Sequence, residues 1–276
     1  MPPVETEILI EPERHSLQYW HDVWQYRDLL FFLTWRDLVV RYKQTVIGIA
    51  WALVPALMTL SVFTIVFGKI AGLSSGGAPY PILVLAGVLP WNLFANALSS
   101  GGQSLVSNSH LISKIYFPRI IVPLSAVLVS LVDFLVSFGV LIALMLWYHW
   151  APPRAVVLLP LFVIFAMVTA FAAGIGLSAL NVKYRDFRYL VPVIVQLGVF
   201  ISPVGFSSAV VPAKWRFLYS LNPMVGVIDG FRWTILGTTG PLYTPGLVLS
   251  ILLVALLLLT GIRYFREVEN TFADVI

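Results

Sequence analysis

The sequence predicts an all-α membrane protein with six transmembrane helices. Of its 276 residues, 59% are hydrophobic and only 11% are charged, whereas a typical soluble domain carries about 25% charged residues. The mean hydropathy is +0.91. Six stretches approach the length of about 20 apolar residues that a helix needs to cross a ~30 Å hydrocarbon core. The predicted transmembrane domain covers residues 46–276.

The six predicted spans differ in their polar content. Most contain no charged residue, Pro90 interrupts the second, and Pro192 and Pro203 fall inside the fifth. The third carries a single carboxylate, Asp133. The predicted spans are residues 46–67, 79–101, 120–147, 155–180, 189–206 and 246–262.

Three segments outside the spans have their own character. Residues 1–18 contain four glutamates and are predicted to be a disordered acidic tail. Residues 19–45 mix Trp, Phe and Leu with Arg, Lys and Asp, which is typical of an amphipathic helix in the headgroup plane. The alternative is an ordinary soluble amphipathic helix, but the chain offers no soluble core for it to join. Residues 207–245 predict two short re-entrant helices, split near Asn222-Pro223.

The positions of Lys and Arg predict the orientation of the chain. Twelve of the 17 basic residues fall in the N-terminal segment, the second and fourth connections and the C-terminal tail, and five fall on the other side. Basic residues are enriched in cytoplasmic loops. Both termini are therefore expected in the cytoplasm, together with the short polar stretch SNSHLISKIYFPR at 107–119.

Several kinds of chemistry are excluded or disfavoured. The chain has no cysteine, and its four histidines, at 15, 21, 110 and 149, are scattered, so no metal site is expected. GLSSG at 72–76 matches the G-x-S-x-G pattern but lacks the strand-turn-helix context and partners of a nucleophile. No G-x-x-x-x-G-K-[ST] loop occurs, so ATP would have to be bound by another chain. The net charge of +4 does not indicate nucleic acid, since it follows the membrane orientation.

Two sets of residues inside the spans are candidates for function. Placing the charge of Asp133 in the membrane costs free energy unless the side chain faces a partner or water. Asp133 therefore either has a functional role or forms a structural hydrogen bond to a neighbouring helix. Aromatic rings can stack on sugar faces, although packing and interfacial belts are the commoner explanation for any single ring. The rings that we propose as channel or substrate lining are Trp51, Phe63, Trp91 and Phe94.

Ordered motifs give the chain a resemblance to a known family. RDLVVRYKQTVIGIAWALVPALM (36–58), LPWNLFANAL (89–98) and NSHLISKIYFPRIIVPL (108–124) are followed by NVKYRDFRYLVPVIVQLGVFISPVGF (181–206) and LNPMVGVIDGFRW (221–233). FREVENTFADVI (265–276) closes the series. The chain from about residue 20 onward resembles the membrane subunit of type-2 ABC exporters of bacterial polysaccharides.

The resemblance implies a partner set and a mechanism. Two copies of the chain would form a homodimer, dock two copies of a separate ATPase that binds ATP and Mg²⁺, and export a lipid-linked polysaccharide such as O-antigen across the inner membrane. The chain itself would hold no catalytic site and no cofactor. ATPase closure would push on the polar stretch, which becomes a coupling helix with the contact residues Asn108, His110, Leu111, Ile112, Lys114 and Ile115. Structural or gating roles fall on Asp133, Arg185, Asp186, Asp229 and Arg232.

Three alternatives remain open from the sequence. A drug or lipid exporter of the same architecture is the main one. A secondary transporter would show several intramembrane ionisable groups and an internal repeat, of which the sequence offers one group and no convincing repeat. A lipid-modifying enzyme would need a clustered catalytic set near one membrane interface.

Overall fold

The structure is a computed structural model that describes residues 16–43, 48–184, 186–237, 242–269 and 272. Within these ranges the chain is helical and has no β-strand. Short 3₁₀ helices precede the first and fourth spans, and a π-helical stretch, Thr64–Ile70, ends the first. The α-helices are α1 (Ser16–Gln25), α2 (Arg27–Lys43), α3 (Leu53–Phe63), α4 (Tyr80–Ser107), α5 (Ser109–Ile112), α6 (Ile121–Trp147), α7 (Leu159–Lys183), α8 (Phe187–Ile201), α9 (Ala213–Tyr219), α10 (Pro223–Leu236) and α11 (Thr244–Glu269).

Among the residues that the structure describes, five helical segments are long and apolar enough to cross a membrane: Ala50–Ile70, Tyr80–Ser107, Ile121–Trp147, Arg154–Lys183 and Thr244–Glu269. They correspond to predicted spans one to four and six. The predicted fifth span, 189–206, coincides with α8, which has 15 residues and is shorter than the others. Its crossing of the membrane stays a prediction.

Pro203 explains the early end of α8. The residue before a proline is disfavoured in helical conformation, and Ser202 accordingly has φ −84° and ψ 154°, which is extended backbone. In contrast, Pro90 and Pro192 lie within continuous helices, so the predicted interruption of the second span at Pro90 does not end α4.

The central element is α4, which packs against α6 on one side and α7 on another. In its most apolar window, 83% of the residues are buried, compared with 17% in Ala50–Ile70. The Asn181 side-chain nitrogen of α7 donates to the Gly102 carbonyl of α4 at 2.7 Å, which joins the two helices by a buried hydrogen bond. The helices α3, α8 and α10 also pack directly against α4, whereas α2 packs mainly against α6 and α11 mainly against α7.

The predicted interface helix is divided in two. The helical geometry is interrupted at Tyr26, so α1 and α2 replace the single helix expected over 19–45. The α2 helix packs along α6 and leaves Phe31, Phe32 and Trp35 exposed. Exposed aromatic side chains beside charged ones agree with a position at the membrane surface, which stays a prediction. The predicted tail lies mostly outside the described residues.

Residues 213–236 form two helices, α9 and α10, which are separated at Asn222-Pro223. Their re-entry into the membrane from the outer side stays a prediction. The Asn222 side-chain oxygen accepts a hydrogen bond from the Met224 backbone N–H at 3.0 Å, and Pro223 occupies the first turn, where no N–H is needed. Gly237 ends the helix in a left-handed conformation with φ +61°. The α10 helix is largely buried against α4, α7 and α11.

Candidate functional site

A row of amide and hydroxyl side chains runs along one face of α4. Asn92, Asn96, the adjacent pair Ser99 and Ser100, and Gln103 are spaced three or four residues apart, which places them on the same side of the helix. This side faces α2 and α6, where two cavities lie. The polar row is therefore the floor of a cleft within the protomer.

The deeper cavity has a volume of about 260 Å³ and reaches Trp51 and Pro55 of the first span. The second cavity, of about 720 Å³, extends toward the end of α4 at Ser107 and Asn108. Arg41, Ser99 and Ser100 line both cavities, so the two adjoin at this level. Together they form one polar cleft that runs from the predicted coupling segment (residues 107–119) to the middle of the bundle.

Asp133 lines the deeper cavity. Its side chain is almost completely buried, and the Arg41 guanidinium and the Tyr42 hydroxyl each donate a hydrogen bond to one of its carboxylate oxygens. A carboxylate within a membrane span is tolerated when it has such partners. Burial, together with this hydrogen bond, raises the pKa of Tyr42 to about 12. Asp133 therefore connects α6 to the end of α2.

A second polar contact ties α2 to the coupling segment. The Arg36 guanidinium donates to Asp37 at 2.7 and 2.9 Å and to the side-chain oxygen of Asn108 at 2.7 Å. The Asn108 amide in turn donates to the Ser104 carbonyl at 2.9 Å. The α2 helix is thus fastened at two points, Arg36 and Arg41, to the end of α4 and the middle of α6.

The predicted coupling helix is a single turn, α5, followed by turns that lead to α6. His110, Lys114 and Ile115 are exposed, with Ile115 at 55%, whereas Leu111 is half-buried. Ile112 is only 4% exposed and packs in a hydrophobic core with Leu33, Phe117 and Phe265. An ATPase could therefore contact His110, Lys114 and Ile115 but not Ile112.

The exit of this segment is anchored to the C-terminal helix. The Arg119 backbone N–H donates to the Glu269 carboxylate at 2.8 Å, and its guanidinium donates to the Glu269 backbone carbonyl. The same guanidinium lies 5.8 Å from the ring centroid of Phe272. Movement of the coupling segment would therefore act on α11 as well as on α2.

At the opposite end of the bundle, Arg232 is buried with 2% exposure. Its guanidinium donates to the backbone carbonyls of Leu83 at 3.1 Å, Val204 at 2.6 Å and Phe206 at 2.5 Å. Gly87 leaves the space that this side chain needs, because a Cβ there would meet the guanidinium. Arg232 therefore holds α10, α4 and the segment after α8 together.

The other predicted gating residues have separate positions. Asp229 lines a small cavity of about 70 Å³ with Arg216 and Tyr219, and burial raises the pKa of its carboxyl. Asp186 is exposed just before α8 and makes no capping hydrogen bond. Arg185 lies outside the described residues.

The proposed lining aromatics do not share one surface. Trp51 is 51% exposed and borders the deeper cavity. Phe63, Trp91 and Phe94 are buried within the protomer, where Trp91 packs against Phe94 and the backbone of Gly198 in α8. In this conformation these three rings pack the bundle, and only Trp51 borders open space.

Sequence reasoning did not single out Tyr42, Asn92, Asn96, Ser99 or Ser100. The spacing of polar residues inside an otherwise apolar span is a signal that would have found the α4 row. The partner of Asp133 carries no such signal, because Arg41 is 92 residues away. Within the described ranges, no three His, Cys, Asp or Glu side chains cluster as a metal site requires.

Comparison with known proteins gives one family and several relatives. Residues 28–236 match the family described as ABC-2 type transporter. The chain is 26% identical to the O-antigen export system permease protein RfbA of Klebsiella pneumoniae, over 90% of this chain and 95% of that protein. It is 26% identical to the inner membrane transport permease YadH of Escherichia coli K12, over 75% and 84%. It is 23% identical to the polysialic acid transport protein KpsM of Escherichia coli, over 73% and 78%.

Proposed function

Because the chain belongs to the ABC-2 type transporter family, we propose that it is the transmembrane subunit of an ATP-driven polysaccharide exporter. Its substrate is a lipid-linked polysaccharide of the O-antigen class, moved from the cytoplasm across the bacterial inner membrane. The observation that carries this proposal is the match to an O-antigen export permease along 90% of this chain and 95% of that protein.

The working unit is a homodimer with two copies of a separate ATPase, which binds ATP and Mg²⁺. The chain has no P-loop of its own, which supports this division of labour. Both termini lie in the cytoplasm in this arrangement, as the distribution of Lys and Arg supports.

The exposed edge of the coupling segment is the surface that we assign to the ATPase. His110, Lys114 and Ile115 form it, while Asn108 and Arg119 connect it to α2 and α11. Closure of the ATPases would displace the segment and, through these contacts, both helices. Opening of the bundle would expose the three buried rings, Phe63, Trp91 and Phe94, to the channel. Trp51 already borders open space in the closed bundle.

A gene deletion in the source bacterium tests the proposal. We expect surface polysaccharide to disappear and lipid-linked polymer to accumulate inside the cell, with both effects reversed by the wild-type chain. The matched control is a strain in which the partner ATPase carries an inactive P-loop, which should give the same phenotype. Normal surface polysaccharide in the deletion strain would contradict the proposal.

A drug or lipid exporter is the second candidate, because the similar permease YadH is described only by transport. In that case the deletion strain would keep its surface polysaccharide and change its drug sensitivity or membrane lipid composition. The same strain therefore separates the two functions.

A further inference from the structure

We propose that the polar cleft between α4, α2 and α6 is a binding site for uncharged sugar units, a role that rests on the proposed function. The site would lie within each protomer, on the cytoplasmic side of the bundle. Its floor is the α4 row of Asn92, Asn96, Ser99 and Ser100, and its walls come from Trp51 and from the end of α2.

The floor of the cleft has hydrogen-bonding capacity that the protein does not use. The side chains of Asn92, Asn96, Ser99 and Ser100 make no hydrogen bond to any other described residue, although each borders a cavity. Side-chain amides and hydroxyls both donate and accept, as sugar hydroxyl groups do. A ligand that is rich in hydroxyl groups matches this floor better than an acyl chain would.

The walls add an apolar surface of the kind that a sugar ring needs. Trp51 is half exposed beside the row and presents an indole ring to the deeper cavity. Small-molecule sites commonly combine aromatic walls with a few placed polar groups, in volumes of about 300–1,000 Å³. The larger cavity, of about 720 Å³, falls in this range, and the deeper one extends it toward Trp51.

The charges at the cleft favour an uncharged ligand over a phosphate group. Arg36 is paired with Asp37 at 2.7 Å, and Arg41 is paired with Asp133. Each cation that borders the cleft thus already has a carboxylate partner, so a phosphate would have to displace one of them. The neutral amides and hydroxyls need no such exchange.

The absence of cysteine in the chain allows a direct test with a single introduced thiol. Asn96→Cys places it on the exposed part of the row, and Ser113→Cys places a control thiol on the exposed coupling segment. Both purified variants are labelled with a water-soluble maleimide, with and without short oligosaccharides cut from the source bacterium's own surface polysaccharide. At an oligosaccharide concentration of twice the Kd, occupancy should slow labelling of Cys at position 96 about threefold and leave the control unchanged.

Each outcome of the labelling decides the proposal. Selective protection at position 96 by oligosaccharide supports it. Protection by inorganic phosphate instead, equal protection of both thiols, or no protection would overturn it. If the deletion strain has lost its surface polysaccharide and yet no protection is seen, the cleft assignment fails while the proposed function stands.

An export assay gives a second, independent readout. Asn96→Leu removes the amide with little change in size and should lower surface polysaccharide at an unchanged amount of protein in the membrane. Asn96→Gln keeps the amide and should restore most of it. Equal export by the two variants would overturn the assignment of Asn96 to sugar binding.

Discussion

At the scale of single residues, the structure gives the one carboxylate of the third span a partner. A charged side chain at the centre of a membrane helix costs about 2.5–3.5 kcal/mol on insertion scales. Arg41 and Tyr42 offset that cost for Asp133 and come from the same end of α2. The contact therefore sets the position of α2 against α6.

A double-mutant cycle tests this contact. Asp133→Asn and Arg41→Gln each remove one charge and leave the other without its partner, which for coupled residues gives an interaction energy of about 0.5–3 kcal/mol. We expect the fall in Tm of the double variant in detergent to be clearly smaller than the sum of the two single falls. Strictly additive shifts would show that the pair does not hold α2.

Arg232 is the second residue for which the structure predicts a clear effect. Arg232→Lys keeps the charge but replaces a planar group of five donors with one ammonium, which cannot serve three carbonyls in two different segments. Each buried acceptor left without a partner costs about 1–3 kcal/mol. For a chain of this size, Tm should fall by at least about 5 °C.

The control for Arg232 is Lys214→Gln, which changes an exposed basic residue in the neighbouring helix α9. Its Tm should stay near the wild-type value. If the Tm of Arg232→Lys matched that of this control, Arg232 would not hold α10, α4 and the segment after α8 together.

At the scale of elements, the coupling segment has two sides with different tasks. Ile115→Asp alters an exposed side chain, so it should weaken co-purification of the ATPase about tenfold or more and leave Tm unchanged. Ile112→Asp buries a carboxylate in the core that it shares with Leu33 and Phe117, and should lower Tm instead. Retention of the ATPase by Ile115→Asp would move the contact surface elsewhere.

The elements also show which features the sequence could predict. Long apolar runs predicted five of the segments correctly, because a helix needs only its own residues to satisfy its backbone in a membrane. The end of α8 was placed too late, since Pro203 acts on the residue before it. The contacts of α2 with Asn108 and Asp133 join residues that are 72 and 92 apart in the chain, which no local pattern encodes.

At the scale of the whole molecule, burial is distributed very unevenly. The most apolar window of α4 is 83% buried, whereas those of the first and last spans are 17% and 22% buried. The first and last spans therefore present most of their apolar surface outward, where lipid or a second copy of the chain would cover it. The polar cleft, in contrast, lies beside α4, whose other faces are buried against neighbouring helices. This packing keeps the floor of the cleft in place.

The central claim is that this chain moves lipid-linked polysaccharide when a separate ATPase drives it. Its most direct test uses inside-out membrane vesicles that contain the chain, the ATPase and radiolabelled lipid-linked polymer. With ATP, polymer should become protected inside the vesicles from an added glycan-degrading enzyme. It should stay exposed with a non-hydrolysable analogue, or when either protein is omitted. Protection that appears without ATP or without this chain would contradict the account.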